Sequence, residues 1–114
     1  MCAHAEGTTI ASGNFSHAQN FNTQALGKDQ TTIGSFNITQ GSKASKVDTD
    51  YALIIGNGTG ANNRSNALAV QWDGNVVFQD GSKQNSASIS IADLKSLVAS
   101  CSDFADFKNQ IALL

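Results

Sequence analysis

The side chains able to do chemistry are few and far apart. His4 and His17 are the only imidazoles, Cys2 and Cys101 the only thiols, and Arg64 the only guanidinium. A threefold axis would gather three copies of each histidine at one level and could hold a metal. No His-x-His or Cys/His cluster accompanies them, so a packed or solvent-facing place in a repeat is the simpler assignment. Glycoside cleavage usually needs two carboxylates facing one sugar. The acids Glu6, Asp29, Asp48, Asp50, Asp73, Asp80, Asp93, Asp103 and Asp106 are scattered instead. Cys101 has no neighbouring histidine in the sequence to activate it as a nucleophile. Gly56-Asn57-Gly58-Thr59-Gly60 has the glycines of a phosphate-cradling loop. It lacks the Gly-Lys-Ser/Thr ending, and no helix signature follows. The expectation is therefore no enzyme, no catalytic residue, no cofactor and no metal.

The elements that hold these side chains centre on residues 51–77. Tyr51-Ala-Leu-Ile-Ile55 reads as a mostly buried strand. The glycines after it, Gly56 and Gly58 among them, read as a turn or loop using positive φ. Arg64 lies in the continuation of that loop. Its planar fork suits several backbone carbonyls or a carboxylate at once, which favours a structural clamp over ligand recognition. Residues 67–72 alternate, with Leu68, Val70 and Trp72 on one face. Trp72 is expected to seal a small β core rather than offer a stacking platform to a sugar. Asp73-Gly74 between two β-rich runs signals a hairpin, here expected as a type I′ turn pairing Trp72 with Asn75.

Upstream, residues 3–41 form a short repeat array. Aligning His4-Ala5-Glu6-Gly7, His17-Ala18-Gln19-Asn20 and Thr32-Ile33-Gly34-Ser35 gives a period of roughly 13 to 15 residues. Ala5, Ala18 and Ile33 then fall in register, as do Ile10/Ala11 and Ala25/Leu26. A unit this short cannot bury its own apolar face and must stack on its neighbours. Composition agrees. The chain is 40% hydrophobic but only 14% charged, against about 25% charged in ordinary domains. Its polar remainder is Asn, Ser, Thr, Gln and Gly, which suits turns and side-chain ladders. A net charge of −2 with no basic block gives no support to nucleic-acid binding. The two cysteines at opposite ends read as free thiols from a reducing compartment.

The repeats resemble the HAEG-type repeats related to the heads of trimeric autotransporter adhesins, which also occur in tail-fibre and tail-appendage proteins of phages and prophages. His4-Ala5-Glu6-Gly7, Ala11-Ser12-Gly13 and Ser16-His17-Ala18-Gln19 carry that likeness. The third unit has lost the His and the Glu. Ile55-Gly56-Asn57-Gly58-Thr59, Arg64-Ser65-Asn66-Ala67 and Trp72-Asp73-Gly74-Asn75 are similar to a module that follows such repeats in phage and prophage fibre proteins. Repeat and module together cover about two-thirds of the chain. The resemblance implies a parallel β-roll or β-prism, usually trimeric, with one layer per repeat. Some relatives carry a self-cleaving chaperone domain nearby, but no nucleophile motif for that step is present here.

The expected organisation is mainly β. Residues 1–41 form HAEG-type repeats, 42–82 a capping β module with a hairpin, and 83–114 a linker with a C-terminal helix or helix pair. Lys83-Gln-Asn-Ser-Ala-Ser reads as a polar linker. Ser90-Ile-Ala-Asp93 has capping-box spacing. Leu94, Leu97, Val98 and Cys101 follow a helical stripe, and Ser102-Asp103 could cap a second helix carrying Phe104, Phe107, Ile111 and Leu114. An unbroken helix with coiled-coil-like spacing is the alternative. The tail would then either pack on its own β domain or help form a trimer. The start at Met followed directly by a repeat unit suggests a piece of a longer natural chain. No secretory signal is recognised in MCAHAEG, and no apolar run nears the roughly 20 residues that span a bilayer.

Function follows from the resemblance as an expectation. The chain should be a structural, host-surface-binding segment of a phage or prophage tail fibre or appendage. It should work as a homotrimer in the virion tail after synthesis in the bacterial cytoplasm. Its partner would be a host cell-surface glycan or protein, with no nucleic acid and no membrane insertion. The alternatives are a trimeric autotransporter-type adhesin head, and a glycan-cleaving tailspike or self-cleaving chaperone domain.

Overall fold

The structure, a computed structural model, describes residues 2–85 and 91–113. Seven strands make one open sheet in sequence order: β1 (His4–Ala11), β2 (His17–Ala25), β3 (Thr31–Ser35), β4 (Tyr51–Asn57), β5 (Asn66–Gln71), β6 (Val76–Phe78) and β7 (Lys83–Gln84). The first four pair in parallel and the last four antiparallel. Two helices follow, α1 (Ile91–Ser100) and α2 (Phe104–Ala112). The chain is thus mainly β, as expected, and its seven-stranded mixed sheet is open rather than closed on itself.

Parallel neighbours usually need a crossover of a dozen or more residues. Here β1 and β2 are separated by only a short turn, so the chain must double back within the strands themselves. It does so at corners of positive φ that recur once per repeat. Gly7 (84°), Asn20 (86°) and Gly34 (96°) form one column, Phe15 (59°) and Asp29 (60°) a second, and Asn22 (53°) and Phe36 (40°) a third. Asn and Asp tolerate this region best among residues with a Cβ, which explains part of the Asn-rich composition.

The register refines the expected alignment by one residue. His4 pairs with His17 and Ala5 with Ala18, but His17 pairs with Thr31 and Ala18 with Thr32. Thr32, not Ile33, therefore continues the Ala5–Ala18 column. A register shift between Thr8 and Ile10 likewise sets Ile10 against Gln24 and Ala11 against Ala25, one residue short of the expected pairs. Because side chains alternate across a strand, a slip of one moves each to the opposite face. Thr32 accordingly points inward and is fully buried, while Ile33 turns to the other side.

The interior is narrow and partly polar. Its apolar members are Ala18, Ala25, Ile54, Ala69 and Val77, joined by buried Ser16, Thr23, Gln30, Thr32, Asn37 and Gln71. Buried amides are mostly hydrogen-bonded; Gln71 Oε1 has no partner among the described residues, but several others stand in for missing strand partners. Asn37 Oδ1 accepts from Gln24 N–H (2.8 Å) while its Nδ2 donates to Gln24 O (3.0 Å). Gln30 Nε2 donates to the carbonyls of Gln40 (2.9 Å) and Tyr51 (3.0 Å). Gln40 Oε1 accepts from Tyr51 N–H at 2.7 Å. These side chains tie one repeat to the next, and the last repeat to β4.

The tail forms two helices rather than one. Asp103 caps α2, its carboxylate accepting from Asp106 N–H at 2.8 Å. Among the described residues no member of either helix is buried, so of the two expected alternatives the packing of an apolar stripe on the β domain is not seen. Lys83 and Gln84, expected in the linker, form β7. The expected capping box at Ser90 and the end of the stripe at Leu114 lie outside the described residues. No described helix is long and apolar enough to cross a membrane.

Candidate functional site

Gly56 and Gly58 serve close approach rather than turning, while Gly60 has open space around it. None of the three has positive φ. Gly56 lies inside β4, and a Cβ there would sit 2.6 Å from Ser35 O and 2.8 Å from Asn37 Cβ. Gly58 is confined between the carbonyls of Phe36 and Asn63. The turn itself comes later, where Asn63 N–H donates to Gly60 O (2.9 Å) and Thr59 N–H to Asn63 O (3.0 Å). No free row of N–H groups for a phosphate is left by this arrangement, since Asn57, Gly58 and Thr59 all donate to backbone carbonyls.

Arg64 reaches out of its own loop to the repeat layers. Its Nη1 donates to the carbonyls of Asn22 (3.3 Å) and Asn37 (3.2 Å), and its guanidinium lies 5.7 Å from the Phe36 ring centre. Asn22 sits at a corner of one repeat, and Phe36 at the same corner of the next. One cation thus joins two successive corners to the loop that follows them.

Trp72, Asp73 and Gly74 lie on the tip between β5 and β6. Gly74 N–H donates to Gln71 O (3.0 Å), and Gln71 N–H to Asn75 O (2.8 Å). This is a three-residue loop with Gly74 at φ 90°, a type I turn with a bulge. Asp73 has no positive φ, so the expected I′ turn is absent, and Gln71 rather than Trp72 pairs with Asn75. Asp73 Oδ1 instead accepts from Asn75 N–H at 3.1 Å. Trp72 lies outside the core at 38% exposure. Lys46 Nζ stands 4.0 Å above its ring and also meets Asp29 Oδ2 at 2.8 Å. The hydrogen bond and charge of Lys46 hold the Asp29 carboxyl below its ordinary value.

Sequence reasoning passed over a second copy of that turn. Phe78 N–H donates to Ser82 O and Gly81 N–H to Phe78 O, both at 2.9 Å, with Gly81 at φ 87°. The signal was present as Asp80-Gly81. The Ser82 hydroxyl (2.6 Å) and backbone N–H (3.0 Å) lower the pKa of Asp80.

His4 and His17 come together. Their rings stack at 4.9 Å, and His4 Nε2 lies 3.5 Å from Glu6 Oε2. No group of three or more His, Cys, Asp or Glu suited to a metal occurs among the described residues. Cys2 and Cys101 are free thiols.

A further candidate surface is the outer face of the sheet. Ile54, Ala69 and Val77 are in register and point inward. Their strand neighbours therefore point out: Leu53, Val70 and Val76 in one row, and Ile33, Ile55, Leu68 and Phe78 in the next. These side chains stay half-buried, and Phe78 is 41% exposed. No charged residue interrupts the two rows. Leu68 and Val70 do share one face, but it is the outer one: β5 turns Ala69 and Gln71 inward instead, and Trp72 lies in the turn, outside the core it was expected to seal. No family model, curated protein or solved structure matches the chain.

Proposed function

We propose that this chain is a structural and host-surface-binding segment of a phage or prophage tail fibre or tail appendage, working as a homotrimer without catalysis. The observation that carries this is the uncharged outer face running from Ile33 to Phe78. A lone chain would leave that face wet, and contiguous apolar surface of this kind marks an interaction site. Open sheet edges add to the need for a partner. The recurring corners and amide ties support a reading in which each repeat is one layer of a β-roll or prism. The choice of three copies, and of a tail fibre, comes from the likeness of residues 4–19 and 55–75 to fibre repeats. The partner on the host would be a cell-surface glycan or protein. Light scattering or sedimentation at micromolar concentration should give three times the chain mass. A stable monomer under those conditions overturns the proposal.

A further inference from the structure

On the inner side of the sheet, beyond the last repeat, lies a cavity of about 200 Å³. Ala69 and Val77 floor it, Tyr51 flanks it, and Thr39, Asn66 and Gln79 stand among its lining groups. No charged side chain lines it. Tyr51 packs on the Ile54–Ala69–Val77 cluster, which fixes its ring beside the floor. Asn66 is held by its bonds with Ile38, its Oδ1 accepting from Ile38 N–H at 2.8 Å. The wall it belongs to is therefore set in place before any ligand arrives.

Three polar groups at this cavity have capacity to spare. The hydroxyls of Tyr51 and Thr39 make no hydrogen bond to any described residue. Gln79 uses only its Oε1, accepting from Asn57 Nδ2 at 3.3 Å, which leaves its own NH₂ group available. A hydroxyl both donates and accepts, and an amide NH₂ donates twice. Pockets for drug-sized ligands run from about 300 to 1,000 Å³, so this one suits something smaller. A small apolar floor, one aromatic ring, and several neutral donors and acceptors match a sugar ring, whose C–H faces are apolar and whose rim is hydroxylated. Asp50 Oδ1 accepts from Nε2 of the lining residue Gln40 at 2.7 Å, and no cation lines the cavity, so the carboxylate of a uronic or sialic acid would meet like charge with nothing to compensate it.

We infer that this cavity binds one ring of an uncharged saccharide. The inference rests on the surface-binding reading above and gives it a site and a ligand class. The test uses the whole chain, labelled for two-dimensional NMR and titrated with glucose, galactose, N-acetylglucosamine, glucuronic acid and sialic acid. At least one neutral sugar should produce saturable shifts at Thr39, Tyr51 and Gln79 with a millimolar Kd, and the two acids should not. Gln79→Ala and Thr39→Val should each weaken that binding at least several-fold with Tm unchanged. The inference is overturned if no neutral sugar shifts these residues, if the acids bind as well, or if both variants bind like the parent. A trimer that adheres to host cells equally well with and without these substitutions would sink the cavity while leaving the proposed function standing. A monomer would do the reverse.

Discussion

Arg64 ties the central loop to two carbonyls of the repeat array. Hydrogen bonds from a charged donor contribute about 1.5–3 kcal/mol each when well formed. The two made by Arg64 are long, at 3.2 and 3.3 Å, and the side chain is half-buried. Arg64→Ala should then cost about 1–3 kcal/mol in all, read as a lower denaturation midpoint. Unchanged stability together with lost surface binding would instead make Arg64 a recognition residue. Asp29 offers a second check. Lys46 lowers its folded pKa, so the pair contributes stability above the unfolded value of 3.8 and loses it as pH falls through the folded value. NMR titration should find the Asp29 carboxyl below 3.8 in the parent and back near it in Lys46→Met. An unmoved titration would show that Lys46 acts only on Trp72.

Among the elements, α2 has the most separable support. Asp103 accepts from Asp106 N–H, and Asp106 Oδ2 accepts in turn from Ser102 N–H at 2.9 Å. Loss of such a cap typically costs about 1 kcal/mol. With no buried residue to compensate, Asp103→Ala should speed amide exchange at Asp106 and Phe107 severalfold while leaving β2–β5 protected. Equal exchange in both proteins would show that α2 is held by contacts other than its cap. The two hairpin tips illustrate a related point. Both use Asp-Gly in a three-residue loop, with the glycine at positive φ and the aspartate bonding two residues ahead. An Asp-Gly pair marks a hairpin well, but loop length, and with it the turn type, is decided by how far the strand pairing runs.

For the molecule as a whole, the decisive feature is that its two sheet faces are both apolar over β4–β6. One is filled by the chain itself, through Ile54, Ala69 and Val77. The other is the face that the proposed homotrimer would cover. Leu68 stands in a row with Ile55 and Phe78 on the open face. Leu68→Glu should hold its strand content by circular dichroism yet shift the solution mass to that of one chain. If the substituted protein kept the parent's mass, association would run through some other surface, such as the unburied apolar residues of α1 and α2.

Much was readable without coordinates. The repeat of Ala5 and Ala18, the β-rich centre, the hairpin at Asp73-Gly74 and the second-helix cap at Asp103 all follow from local chemistry, because spacing, turn residues and caps act over a few positions. Register did not follow. Ile33 and Thr32 are adjacent and both fit a strand, and only pairing with Ala18 and Ile54 determines which one is buried. The work of the amides was also hidden, since Asn37, Gln40 and Asn66 look like generic polar residues until folding brings a backbone group within reach. The same holds for Arg64, whose carbonyl partners lie 27 and 42 residues away along the chain. Local propensity can name an element, but which groups meet depends on contacts that exist only once the strands have paired.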